Sequence, residues 1–258
     1  MRRVLNILLL IVTLSGFLSL CGYYVYQHFT APLGDLNLSI ERENENGFID
    51  DVDTRQTIMN VCDTVNNNQI YMIPLDSLRN ALDANPWTTE VKASINLKGT
   101  LDVNLVECKP IMRIYNISGK SVYLDADGNI YPENKNHTPH LLIASGYAKF
   151  PVKGAANVND STYVTTDLPE LYKVMTSVLN DDYARNCVKQ VYLDAKKNYI
   201  FYLNNTDIFV IFGDANNIDE KLFKMKNFFK KMLGNPELDN YRSVNLNYKN
   251  QVVCTKKK

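Results

Sequence analysis

The sequence has few of the residues on which metal-binding and disulfide-rich proteins depend. Its 258 residues include three histidines and five cysteines, and the odd number of cysteines contains no CxxC pair. Structural zinc sites need paired ligands, and small disulfide-stabilised domains are much richer in cysteine. We therefore expect free thiols that are buried as small apolar side chains.

Recognised catalytic motifs are also missing. The sequence contains no GxSxG, HExxH, GxGxxG or phosphate-binding loop. His137 and His140 lie in a loop-like segment with no third ligand nearby, so we expect no metal site there. The segment DADGN, residues 125–129, carries its glycine in the fourth position, whereas an EF-hand needs it in the sixth, so it predicts a hairpin turn through Asp127 and Gly128. These observations predict a protein that is not an enzyme and that needs no cofactor or metal.

Charge of one sign is not in excess. The chain has 28 basic and 28 acidic residues, and its only block of one sign is the basic tail 256–258. A nucleic-acid-binding surface normally requires a clear positive excess. We therefore expect no nucleic-acid partner.

Long apolar runs are absent except at the N-terminus. After Arg2 and Arg3 no charged side chain occurs until Asp35, and residues 4–26 are mostly Leu, Ile, Val and Phe. As a helix this run would span roughly 35 Å, enough to cross a hydrocarbon core of about 30 Å. The positive-inside rule then predicts a cytoplasmic tail of residues 1–3, a transmembrane helix of residues 4–26 and an extracytoplasmic remainder.

Two alternatives to an uncleaved anchor remain open. A cleavable signal peptide would have a shorter apolar region and small residues at its end, where this chain has bulky tyrosines at positions 23, 24 and 26. A lipoprotein box around Cys21 would have a small residue before the cysteine, but Leu20 stands there. The anchor is therefore the preferred interpretation.

Residues 35–108 predict one compact α+β unit. Apolar and polar residues alternate from Leu36 to Ile40, which indicates a strand, and helical spacing follows in two segments that begin near Asp53 and Pro74. Asp53 and Gln56 fit a capping box. Two further alternating runs flank a turn at Lys98 and Gly99 and predict a hairpin. The order is strand, helix, helix, strand, strand, with the helices covering the apolar face of the hairpin.

The only tryptophan, Trp87, follows Pro86 at the corner between the second helix and the hairpin. A large ring at such a corner closes the open end of a core, so we expect a packing role.

The region 109–255 predicts a larger β-rich domain with flanking helices. Its strand candidates are short apolar runs separated by turn residues, and its two helix candidates are amphipathic. In the second helix we expect Leu222, Met225, Phe229 and Met232 to face inward and Lys221, Lys224, Lys230 and Lys231 to face solvent. The predicted helices are Leu168–Leu179 and Ile218–Leu233, and the main predicted strands are Ser121–Leu124, Asn129–Pro132, Leu141–Ala144, Val188–Leu193, Tyr199–Leu203, Ile208–Phe212, Ser243–Tyr248 and Gln251–Thr255.

The order of these segments resembles the bacterial cell-division family FtsQ/DivIB. The stretches DANPWTTEVKASINLKGTLDVNLVECKPIMRIYN, VYLDADGNIYP, YIFYLNNTDIFVIFGD and YRSVNLNYKNQVVCTK carry the resemblance, which covers nearly the whole chain. It implies that the first unit is a POTRA domain. It also implies a non-enzymatic, single-pass type II protein of the inner (plasma) membrane at the division septum, linking early and late division proteins.

The resemblance also implies a partner and a site. The family binds the small coiled-coil division proteins FtsB and FtsL, and a partner segment pairs along the last strand. A terminal strand has no following chain to cover its outer edge, which suits this mode. By resemblance the contact falls on Tyr248, Lys249, Asn250, Gln251, Val252, Val253 and Cys254. Inward packing of Val252 and Cys254 is compatible with it, because the backbone edge would still bind.

Two other functions are alternatives to the scaffold. A POTRA-bearing envelope assembly factor with a chaperone-like role would be expected to carry tandem POTRA units or a membrane barrel, and a periplasmic hydrolase would need a nucleophile and a base that the sequence does not offer. The POTRA-like unit could bind further division proteins at a strand edge.

Overall fold

The computed structural model describes residues 2–31, 33–43, 47–63, 73–135, 137–204, 206–232, 234–249 and 251–257, with only the backbone of residues 2–5. Three residues at the ends of predicted segments lie outside the described residues. They are Met1 of the predicted cytoplasmic tail, Leu233 of the predicted helix Ile218–Leu233 and Lys258 of the basic tail. The chain divides into two compact units, residues 1–108 and 109–258.

The first unit begins with a long apolar helix, α1, which spans Arg2–Thr30. Its segment Asn6–Thr30 is long and apolar enough to cross a membrane. The helix continues four residues past the predicted end at Tyr26. The side chains described along it, from Asn6 to Tyr26, are all exposed.

The rest of the first unit is a three-stranded sheet with two helices. The central strand, β3, pairs in parallel with β1 and antiparallel with β2, which gives the strand order β1-β3-β2. Strand, helix, helix, strand, strand is the order that the sequence predicted. The elements are β1 (Leu36–Glu41), α2 (Asp51–Asp63), α3 (Leu75–Asp83), β2 (Thr88–Ile95) and β3 (Leu101–Glu107).

Trp87 closes the core of this small unit. It is 4% exposed, and its ring stacks on that of Phe48 with centroids 3.9 Å apart. The packing role is therefore confirmed.

Asp50 caps α2, because its Oδ1 accepts hydrogen bonds from the N–H groups of Val52 and Asp53 at 2.8 and 3.0 Å. The predicted cap at Asp53 was wrong by one turn, since the helix already begins at Asp51.

The second unit is built on one mixed sheet of ten described strands in the order β13-β12-β11-β10-β9-β7-β4-β5-β6-β8. The fold class is α+β, as predicted. Its strands are β4 (Met112–Tyr115), β5 (Ser121–Leu124), β6 (Asn129–Tyr131), β7 (Leu142–Gly146), β8 (Ala156–Asn157), β9 (Val188–Leu193), β10 (Tyr199–Leu203), β11 (Phe209–Gly213), β12 (Tyr241–Asn245) and β13 (Val253–Lys256). Its helices are α4 (Leu168–Asn180), α5 (Asp182–Cys187) and α6 (Ile218–Met232), followed by a 3-10 turn at Pro236–Asn240.

Helices α4 and α6 contribute to the core of the second unit. Leu171, Met175 and Val178 of α4 and Leu222 and Met225 of α6 are buried with the apolar residues of the strands in one cluster. The short helix α5 was not predicted. It begins where the side chain of Asp181 accepts hydrogen bonds from two backbone N–H groups, at 2.9 and 2.8 Å.

Four of the described hairpins are closed by the same turn. In each, a side-chain oxygen of Asn or Asp accepts hydrogen bonds from the backbone N–H groups two and four residues later, at 2.7–3.1 Å. The residue three positions later has φ between 66° and 83°. This geometry fixes the register of the flanking strands. The turns begin at Asn96, Asn116, Asp125 and Asp194, and the left-handed residues are Gly99, Gly119, Gly128 and Lys197.

Replacing Gly128 with alanine should destabilise the second unit more than replacing Gly119. The two glycines have φ of +79° and +82°, so both variants share a backbone cost of about 1–2 kcal/mol. A Cβ at position 128 would lie 2.7 Å from Cγ1 of buried Val158, whereas nothing lies within 4 Å of one at position 119. The clash should add about 1–3 kcal/mol. Urea unfolding of the detergent-solubilised chain, followed by the near-ultraviolet circular dichroism of its tyrosines, measures both losses, and equal losses would contradict the described turn.

Candidate partner-binding edge

The last strand, β13, lies at one end of the ten-stranded sheet. It pairs antiparallel with β12 in the register Ser243 to Thr255, Val244 to Cys254 and Asn245 to Val253. No described strand pairs with its other side. A strand in this position directs alternate backbone N–H and C=O groups away from the sheet. The outer edge of β13 is therefore a row of hydrogen-bonding groups without a strand partner among the described residues.

Successive side chains of β13 alternate between the core and solvent. Cys254 is half-buried against the core, as is Val252 just before the strand, whereas Val253 is 38% exposed and Thr255 is exposed. The inward packing considered for Val252 and Cys254 is confirmed. Burial raises the pKa of the Cys254 thiol, so it is protonated at neutral pH.

The closing hairpin is wider than the sequence predicted. Its strands are Tyr241–Asn245 and Val253–Lys256, not Ser243–Tyr248 and Gln251–Thr255. The first strand ends at Asn245, although Leu246 is still buried on the same face as Val244 and its N–H donates to the carbonyl of Ile211 in β11 at 3.0 Å. Seven residues, 246–252, then connect the strands. Lys256 belongs to β13, although the sequence predicted that it lies in the basic tail.

The seven predicted contact residues fall in two different settings. Val253 and Cys254 lie in β13. Tyr248 and Lys249 are exposed within the connection, and Gln251 and Val252 end it. Asn250 lies outside the described residues. The structure therefore places only two of the predicted contacts on the edge strand itself.

Helix α6 holds the connection in place through Lys224. The Lys224 ammonium donates to the carbonyl oxygen of Tyr248 at 3.2 Å and lies 2.8 Å from Oε1 of Glu220. Its hydrogen bond lowers the pKa of the Glu220 carboxyl, so Glu220 is ionised at neutral pH. Side-chain contacts from α6 thus fix the chain just before β13.

The expected solvent-facing position of Lys221 was wrong. Lys221 is 7% exposed, and its ammonium donates to the carbonyl and carboxylate oxygens of Asp214 at 2.8 and 2.5 Å, over the ring of Phe212. The hydrogen bond from Lys221 to the carboxylate lowers the pKa of Asp214. A buried ammonium is tolerated here because it is paired and hydrogen-bonded. Lys221 therefore anchors the start of α6 to the end of β11.

A groove of about 460 Å³ lies beside the start of β13. Its floor is partly apolar, since it includes Phe223, which is 64% exposed, and half-buried Phe228 and Val252. Two lysines, Lys224 and Lys231, also line it. The full lining is Glu220, Phe223, Lys224, Asn227, Phe228, Lys231, Gln251 and Val252.

Several residues of this surface were not predicted from the sequence. Phe223 and Phe228 were assigned to neither face of α6, although an aromatic residue on the polar side of an amphipathic helix is the signal that marks an exposed apolar patch. Thr255 and Lys256 were also left out of the site, although β13 includes them.

These features define a class of protein. The described residues contain no group of three or more His, Cys, Asp or Glu that could hold a metal ion, and His137 and His140 lie in the irregular segment between β6 and β7. What remains is an α+β protein with a long apolar N-terminal helix and an open mixed sheet that ends in an exposed strand edge.

Comparison with known families identifies the family within this class. Residues 109–255 match a family model described as FtsQ/DivIB, C-terminal related. The match covers more than half of the chain and begins where the second unit begins, and the chain belongs to this family. The family consists of non-enzymatic division scaffold proteins, which indicates a role in cell division. No curated protein matches the chain.

The thiol of Cys254 should react slowly with iodoacetamide. Its raised pKa and inward packing both reduce the amount of accessible thiolate. At pH 8 we expect modification at least about tenfold slower than that of free cysteine. Mass spectrometry of the peptide that contains Cys254 follows the reaction in the folded chain, with urea-unfolded protein as the control. A rate equal to that of free cysteine would mean that β13 does not stay packed on the core.

Proposed function

We propose that this chain is a non-enzymatic scaffold of the division machinery that links early and late division proteins. In this proposal it binds FtsB- and FtsL-type coiled-coil proteins by strand pairing on the outer edge of β13. The observation that carries the proposal is the position of β13 at the end of the sheet. The family membership of the chain supports the biological setting.

Strand addition suits the chemistry of this edge. An added strand would pair with the outward N–H and C=O groups of β13, which supply affinity without a particular side-chain sequence. Val253 and Thr255 point away from the core and would contact alternate side chains of the added strand. Cys254 contributes through its backbone, because its side chain packs inward.

The groove beside β13 supplies selectivity in this proposal. A partner chain that continues past the start of β13 would enter the groove next to Val252, where Phe223 and Phe228 offer apolar contact. Lys224 at the groove is paired with Glu220, so the positive charge of Lys231 is the one that favours an acidic residue in that partner. Tyr248, Lys249 and Gln251 belong to the same surface, and Asn250 is included by its place in the chain.

The remaining architecture is proposed on the same basis. Helix α1 acts as a single-pass type II anchor in the inner membrane at the septum, with residues 1–3 cytoplasmic, residues 4–26 in the bilayer and the two units outside. Arg2 and Arg3 before the apolar run support this orientation. Residues 35–108 form a POTRA domain, which the strand order β1-β3-β2 with two covering helices supports, and residues 109–255 form the β domain.

Replacing Val253 with aspartate should weaken partner binding. The new charge would lie on the outer side chain of the edge strand, where an added strand would desolvate it. We expect a loss of at least about tenfold in affinity, or about 1.4 kcal/mol. The measurement is titration of the full chain in nanodiscs with a purified FtsB–FtsL complex, read by biolayer interferometry.

The matched control is Val164→Asp, because Val164 is another exposed valine of the second unit and lies far from β13 in the sequence. It should bind within about twofold of the wild type, and a chain that ends at Asn250 should lose binding. Thermal unfolding of each variant checks that the unit remains folded. Equal affinity of the Val253→Asp variant and the wild type would remove β13 from the interface, and no binding by the wild type would refute the proposed partner.

A further inference from the structure

The hairpin between β2 and β3 ends in an apolar side chain that packs little against its own unit. Leu97, at the tip, is 89% exposed. The tip is held rigidly by Asn96, whose Oδ1 accepts hydrogen bonds from the N–H groups of Lys98 and Thr100 at 2.9 and 3.1 Å and whose amide donates to Asp102 at 3.0 Å. Leu97 and Lys98 are therefore presented outward by a fixed backbone.

Backbone hydrogen bonds connect this tip to the chain that leaves α1. The N–H of Gly34 donates to the carbonyl of Gly99 at 2.9 Å, and the N–H of Leu101 donates to the carbonyl of Asp35 at 3.0 Å. Gly34 follows Thr30, the last residue of α1, by only four residues. Fully extended, these residues span at most about 14 Å. The tip is therefore confined to the neighbourhood of the end of α1.

The end of α1 has the composition of a membrane interface. Tyr23, Tyr24 and Tyr26 lie at the end of the apolar run, and such amphipathic rings favour the headgroup layer. Thr30 lies about 6 Å further along the helix axis than Tyr26. The headgroup layer on each side of a bilayer is itself roughly 5–7 Å thick. Leu97 lines the same cleft as Tyr24 and Val25 of α1, which brings the tip to the level of these interfacial residues.

An apolar cleft separates the end of α1 from the hairpin tip. Its volume is about 920 Å³, and the residues that line it include Tyr24, Val25, His28, Ile73, Ile95 and Leu97. Isolated exposed leucines are common, but one that shares an open apolar cleft with the aromatic end of an anchor helix marks a surface suited to lipid.

We propose that the β2–β3 tip is a second membrane contact, with Leu97 inserted into the leaflet at which α1 ends and Lys98 against anionic lipid phosphates. The inference rests on the proposed role of α1 as a membrane anchor. Leu97 gains by leaving water, and the Lys98 ammonium gains from the negative surface potential of an anionic membrane. Two points of attachment would restrict the rotation of the first unit about its anchor and hold it close to the bilayer.

Tryptophan fluorescence in lipid vesicles tests this contact in the full chain. The variant Leu97→Trp places an indole at the tip, while native Trp87 is buried at the other end of β2, roughly 23 Å away along the strand. The vesicles contain phosphatidylethanolamine and phosphatidylglycerol, with a nitroxide near the headgroup end of the acyl chain. We expect blue-shifted emission from the variant, and quenching by the nitroxide lipid that is at least about twofold stronger than in the wild type.

The matched control is Val52→Trp. Val52 is 74% exposed at the start of α2, next to Asp51, which pairs with Arg42 just beyond the end of β1 remote from the tip. The control should be quenched by aqueous iodide and not by the nitroxide lipid. If Leu97→Trp behaves like the control while the chain floats with the vesicles, the tip contact is refuted and the anchor stands. If the chain does not float with the vesicles, the anchor and the tip contact are both refuted.

Discussion

Hydrogen bonds from backbone N–H groups to the side chain of one Asn or Asp determine the register of four hairpins, and the rest of both sheets depends on them. A slip of one residue would turn every side chain of a strand to the opposite face. The turn prevents this slip by satisfying two N–H groups with one oxygen and by placing a left-handed residue at a fixed position. Three of these positions are glycine. The fourth is Lys197, whose ammonium lies 2.6 Å from the carboxylate of Asp167.

The open edge of the second unit follows from the order in which its last strands are connected. Strand β12 lies parallel to β11, so the chain must cross over between them, and α6 with the following turn makes that crossover. The crossover leaves β12 on the outside of β11. The next strand, β13, then pairs with the outer side of β12. The edge is therefore a product of topology, and the pair formed by Lys221 and Asp214 at the start of α6 helps to fix where the crossover begins.

Local patterns predicted much of this fold, and non-local contacts account for most of the rest. The strands Ser121–Leu124, Val188–Leu193 and Tyr199–Leu203 have the bounds that the sequence predicted, because each is a short apolar run between turn residues. Strand order could not be predicted from such runs, since it depends on pairing between distant segments. Leu246 illustrates the limit. It continues the alternating pattern and its N–H still donates to Ile211 in β11, yet β12 ends one residue earlier, and a local pattern does not show where the pairing with β13 stops.

The candidate site was harder to predict than the fold for a physical reason. A strand edge binds through its backbone, so binding places little constraint on its side chains, which can pack in the core instead. In β13, Cys254 packs inward while its neighbour Val253 faces solvent. The sequence of such a strand therefore reflects the packing of the core, and the candidate site was suggested by the resemblance to a family and not by residue chemistry. The aromatic residues of α6 are different, because their side chains form part of the candidate binding surface. Phe223 is exposed, so its aromatic side chain is not explained by packing in the core. Binding selectivity can therefore be read from the side chains beside an edge more readily than from the edge itself.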